Sequence, residues 1–104
     1  MEWSRAKDLM LAKEVLFVEP FQFKERTLQS VQAWQEVVNK LIENYPGEFG
    51  RLTSRGAKEH MGLLIRNQKK KESAELRESG ISPVPTELDD LLEEIIEKME
   101  LHAA

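Results

Sequence analysis

Apolar residues recur along most of this chain at intervals of three and four, the spacing that gathers them on one face of an α-helix. Leu9, Ala12, Val15 and Leu16 carry the first stripe, and Ser4 stands ahead of it with a hydroxyl able to accept from the free amides of a helix start. Glu19 before Pro20 ends that helix, because a residue preceding proline avoids the right-handed helical region. Phe21 and Phe23 follow in a short connection and are read as plugs for the bundle. A second stripe, Val31, Trp34, Val38, Leu41 and Ile42, predicts a helix from residue 27 or 28 to 44, capped by Thr27 and broken by Tyr45-Pro46-Gly47. Phe49 and Leu52 lead on as core contacts.

A third helix starts at Thr53 or Ser54 and turns Ala57, Met61, Leu64, Ile65 and Gln68 inward. Nothing strong stops it before Ser79-Gly80, so it runs roughly 27 residues, about 40 Å. From Lys69 onward it is almost wholly charged, and that half either projects or rests on later residues. Residues 80–85, GISPVP, form a linker in which two prolines in three residues forbid a helix. Thr86 then caps a fourth helix, with Asp89 at its third position and the apolar stripe Leu88, Leu91, Leu92, Ile95, Ile96 and Met99. This helix packs on the third helix, on the bundle, or on a second copy of the chain.

Composition narrows the class. A chain of 104 residues with 40% hydrophobic content and 33% charge suits one globular domain with a heavily solvated exterior. With no cysteine there is no disulfide framework, zinc ribbon or thiol chemistry. The longest apolar run, residues 15–18, is far short of the ~20 needed to span a bilayer, and the N-terminus lacks the pattern of a signal peptide. The expectation is a protein with no membrane partner.

Charge is unevenly spread within the total of -4. Residues 1–50 carry six basic and eight acidic groups, a net of -2, whereas residues 51–71 hold seven basic groups against Glu59 alone, a net of +6. Residues 72–104 hold two basic and ten acidic groups, a net of -8. Screening over about 8–10 Å means that a ligand senses the local patch, so the basic block points to nucleic acid despite the acidic total. The split also suggests that the acidic tail could mask the basic helix.

Trp3-Ser4 with Asp8 four residues after the serine, Trp34 followed by Val37-Val38 and Leu41, and Lys58-Glu59-His60-Met61 resemble the Myb/SANT repeat. That family has spaced tryptophans, an acidic stretch after a W-S/T start, and a K-x-H-W-like run in its third helix; here Met61 stands where the third aromatic is usual. The charged extension, the prolines and the last helix are similar to its trihelix relatives, including transposon-derived forms. The resemblance covers residues 3 to about 71. It implies an all-α fold: a three-helix Myb/SANT-like bundle of the helix-turn-helix type over residues 1–79, with a long third helix and an additional C-terminal amphipathic helix over 86–104.

With Ala57, Met61, Leu64 and Ile65 inward, Arg55, Lys58, Glu59, Gly62, Arg66 and Lys69 face outward. Such a helix fits the major groove of double-stranded DNA, where Arg or Lys donates to guanine and Glu accepts from cytosine N4. The resemblance implies base contacts at Lys58, Glu59 and Gly62, with Arg55 one turn earlier; the run Lys69-Lys70-Lys71 makes phosphate contacts at most or is a solvated face, and Arg51 completes the expected DNA-binding set. Gly56 and Gly62 each cost about 1 kcal/mol in helix propensity, which points to close approach by another helix or by a ligand backbone.

The implied role is sequence-specific DNA binding in the targeting part of a nuclear transcriptional regulator or transposon-derived protein. The alternative is a SANT-type protein-interaction module for histone tails or cofactor proteins, with self-association through Leu88, Leu91, Leu92, Ile95, Ile96 and Met99. His60 and His102 lie far apart with no cysteine between them, so no metal or other cofactor is expected. His60 reads as a histidine at the edge of the core, hydrogen-bonded within the bundle. No nucleophile-base arrangement or phosphate-cradling glycine loop stands out, and an enzyme is not expected.

Overall fold

Local chemistry sets most of the boundaries in the computed structural model, which describes residues 2–24, 26–77 and 86–103. Among the described residues there are four α-helices, one 3-10 turn and no strand. Helix α1 spans Arg5–Val18, and the Ser4 hydroxyl accepts from the Lys7 amide at 3.3 Å as its cap. Glu19 closes it in the left-handed region, at φ 55°, and its N–H donates to the Val15 carbonyl at 2.8 Å. Pro20 then opens a 3-10 turn, Pro20–Gln22, and is itself fully buried.

Helix α2 spans Leu28–Asn44, with the Thr27 hydroxyl accepting from the Ser30 amide at 3.2 Å. Its buried face is Ser30, Ala33, Trp34, Val37, Val38 and Leu41. Val31 is 52% exposed and Ile42 37%, so the predicted stripe was set too far to one side. The reason is packing distance: Ser30 and Ala33 are small enough to let neighbouring elements approach, and a count of large apolar side chains gives them no weight. A similar shift affects α1, where Leu11, Ala12 and Val15 are buried while Leu9 and Leu16 are half-buried.

The connection from α2 to the next helix turns at Gly47, whose φ of 89° suits a residue without Cβ. It delivers Phe49 into the core with no exposed surface, 6.1 Å from the Trp3 ring and 6.2 Å from Tyr45. Helix α3 then spans Ser54–Arg77. Thr53 is its cap, its hydroxyl accepting from the Gly56 amide at 3.0 Å. Ala57, Met61 and Gln68 are buried and Leu64 and Ile65 half-buried, which is the predicted inner face.

Helix α4 spans Glu87–Ala103. Thr86 and Asp89 cap it reciprocally: the Asp89 amide donates to the Thr86 hydroxyl at 3.2 Å, and the Thr86 amide donates to the Asp89 carboxylate at 2.9 Å. Leu92 and Ile95 enter the same core as Leu11, Val15, Leu41 and Met61, and α4 packs against α1, α3 and the 3-10 turn. Leu88, Leu91 and Met99 border that core half-buried, and Ile96 is half-buried outside it. Two ion pairs join the edges, Lys13 to Glu87 at 3.3 Å and Lys98 to Glu19 at 3.0 Å. The hydrogen bond and charge of Glu19, with a smaller contribution from Glu94, raise the Lys98 pKa. The link is therefore present at neutral pH, and on the alkaline side it is lost as pH rises past the ordinary lysine range. The expected linker, residues 80–85, lies outside the described residues.

Candidate nucleic-acid interface

The first half of α3 is fixed to the bundle by its histidine. His60 Nε2 sits 2.7 Å from the Asp8 carboxylate, and the ring stacks on Trp3 with centroids 3.8 Å apart and planes 4° from parallel. Both His60 and Asp8 are mostly shielded from water, with side-chain exposures of 13% and 17%. The histidine is thus bound within the bundle, as its place beside the apolar stripe predicts. Its partners could not be named from sequence, because Asp8 is 52 positions away and reaches it only when α1 and α3 cross. A helix held in this way presents its opposite face in a fixed orientation.

On that opposite face, Arg55, Glu59, Gly62, Arg66, Lys69 and Lys70 are exposed, as is Arg51 just before the helix. Arg55 and Glu59 pair with each other at 3.0 Å while remaining 88% and 66% exposed. A surface pair of this spacing is worth only about 0.3–0.5 kcal/mol, so an approaching phosphate can separate it. Lys58 differs from the rest in being half-buried. Among the described residues, Arg51, Lys58, Arg66, Lys69 and Lys70 take part in no ion pair, whereas Lys7, Lys13 and Lys98 are each matched to an acid on another element. Arg5, Lys24, Arg26 and Lys40 likewise take part in no ion pair among the described residues, so what distinguishes α3 is that four such cations, Lys58, Arg66, Lys69 and Lys70, stand on one helix.

No protein family, curated protein or solved structure matches this chain. The site rests on its own geometry. Among the described residues, no group of three or more His, Asp or Glu could hold a metal ion, and no helix is long and apolar enough to cross a membrane.

The two helical glycines have different surroundings. A Cβ on Gly56 would meet the Thr53 hydroxyl at 3.2 Å and Leu52 at 3.6 Å, so this glycine fits the local cap. At Gly62 a Cβ would meet nothing within 4 Å, so no neighbouring helix explains it. Gly62→Ala should accordingly raise unfolding stability by about 0.5–1 kcal/mol through helix propensity alone. A urea midpoint that fell instead would show that the position is filled in solution.

Lys58 and Gly62 also border a cavity of about 660 Å³ between the 3-10 turn, α2, α3 and α4, and Lys24 lies on the same border. Lys24 stands in a connection away from the basic block, and nothing in its local sequence marks it as part of a site. It shares a cavity with Lys58 because the 3-10 turn packs against α2 and α4, which supply two of the cavity's other walls.

Proposed function

We propose that this chain binds double-stranded DNA by laying α3 in the major groove, as a Myb/SANT-like helix-turn-helix domain in the targeting part of a nuclear transcriptional regulator or transposon-derived protein. The observation that carries this reading is the row of exposed cations along the outer face of a helix whose inner face is anchored in the core, Arg66, Lys69 and Lys70 without an ion-pair partner among the described residues and Arg55 in a surface pair with Glu59. Arg55, Lys58 and Arg66 are the leading base and phosphate contacts, and Glu59 can accept from cytosine N4 once Arg55 swings away. Lys69, Lys70 and Arg51 reach phosphates on either side. Gly62, with open space in front of it, allows the helix backbone to come close to the groove wall.

A titration of the chain into labelled random duplex at several salt concentrations tests this. Each phosphate contact contributes about -0.9 to the slope of log affinity against log salt. Lys58→Ala combined with Arg66→Ala should make that slope shallower by up to about 2 and weaken binding at low salt by at least roughly tenfold. Salt-independent binding, or equal binding by the double variant, would reject the groove reading.

One observation favours a second reading, a SANT-type module for basic protein tails. The outer face of α4 exposes Glu87, Asp90, Glu94, Glu97 and Glu100, an acidic strip complementary to a lysine-rich peptide. The centre of the α4 apolar stripe, Leu92 and Ile95, is already occupied within the chain, so this reading rests on the acidic side of that helix.

A further inference from the structure

We infer that the cavity between the 3-10 turn, α2, α3 and α4 is a binding site for a hydrophobic monocarboxylate, a molecule with an apolar body and a single anionic head. Its volume of about 660 Å³ lies within the ~300–1,000 Å³ common for small-molecule sites. Pro20, Trp34, Met61, Ile65, Ile95 and Met99 supply apolar walls from four different elements. The two methionines can adjust to the shape of an alkyl or aryl chain.

The lining's charged groups are one-signed, beside the polar Gln22, Ser30 and His102. Lys24 and Lys58 both border the cavity, and no Asp or Glu is found among its described lining residues. Neither lysine has an ion-pair partner among the described residues. Lys58 is half-buried on the cavity border, a burial that suits a lysine whose apolar stem packs while its ammonium stays in water. A neutral apolar ligand would leave both ammonium groups unmatched, and a polyanion would leave the walls unused. One carboxylate at the mouth with a hydrocarbon body inside satisfies both.

Gly62 offers a way to close the site without damaging the core. It borders the cavity, and a side chain added there starts in open space. Gly62→Leu should therefore fold and fill the mouth.

The test is titration of the full chain with dodecanoate below its aggregation concentration, followed by amide and indole NMR signals, with 1-dodecanol as the uncharged comparison. Saturable one-to-one binding is expected, with shifts at the Trp34 indole, Met61, Ile65, Ile95 and Met99 and little change at the Trp3 indole. Dodecanoate should bind about tenfold more tightly than dodecanol, the scale of one charge-assisted contact. Lys24→Ala with Lys58→Ala should bind the two probes alike, and Gly62→Leu should lose dodecanoate binding while keeping a folded spectrum. Non-saturating binding, shifts centred on the exposed Leu28 and Val31, equal affinity of the wild type for both probes, or normal binding by a folded Gly62→Leu would each overturn the proposal. No DNA enters the titration, so its result is independent of duplex binding.

Discussion

A chain that stops at residue 85 is expected to lose its cooperative unfolding transition. The deletion removes Leu92 and Ile95, which are 3% and 0% exposed, and uncovers the side of α1 that packs on α4. Truncating one buried Leu or Ile to Ala typically costs about 2–5 kcal/mol, and whole-domain stability is about 5–15 kcal/mol. Loss of both side chains, with the half-buried Leu88, Leu91 and Met99, is comparable to the entire stability. Far-ultraviolet circular dichroism during heating would show a broad, shallow change in place of a sigmoid. A truncated chain that melts sharply near the full-length midpoint would remove α4 from the core. Any test of whether the acidic tail masks α3 should accordingly keep α4 and neutralise exposed acids, for example Glu97→Gln with Glu100→Gln.

Phe49→Ala should lower stability by about 3–5 kcal/mol, the range for a fully buried phenylalanine. Phe49 belongs to no helix, yet its side chain is wholly enclosed and lies between Trp3 and Tyr45. Removing it leaves a cavity beside the Trp3 ring that stacks on His60, so the Trp3 indole should become wetter and the anchoring of α3 looser. Urea unfolding gives the stability change, and a red shift of tryptophan emission reports the indole. Phe49→Leu, which keeps more apolar volume, should lose clearly less. Equal midpoints for Phe49→Ala and the wild type would mean that the ring is not packed in solution.

These two sites also separate what was readable in the chain from what was not. The helix starts were readable because a cap is a bond across three residues: Ser4 to Lys7, Thr27 to Ser30, Thr53 to Gly56, and Thr86 with Asp89. The inner face of α3 was readable for a related reason, since Ala57, Met61 and Gln68 repeat at one helical period with charged residues opposite. On α2, apolar residues occupy two adjacent strips, and periodicity could not choose between Val31 with Ile42 and Ala33 with Val37. The neighbouring helices made that choice through the distance at which they pack.

The candidate interface divides in the same way. Sequence alone determined that positive charge is concentrated between residues 51 and 71 and that its helical period separates an apolar side from a basic one. Only the tertiary structure decided that Asp8 and Trp3 hold His60, that Lys58 is half-buried on the border of a cavity it shares with Lys24, and that Leu92 and Ile95 complete the core. Hydrogen bonds and helical period act over three or four residues and leave their mark in the local order of side chains. Packing joins residues dozens of positions apart, and its outcome depends on shapes that exist only once the helices have met.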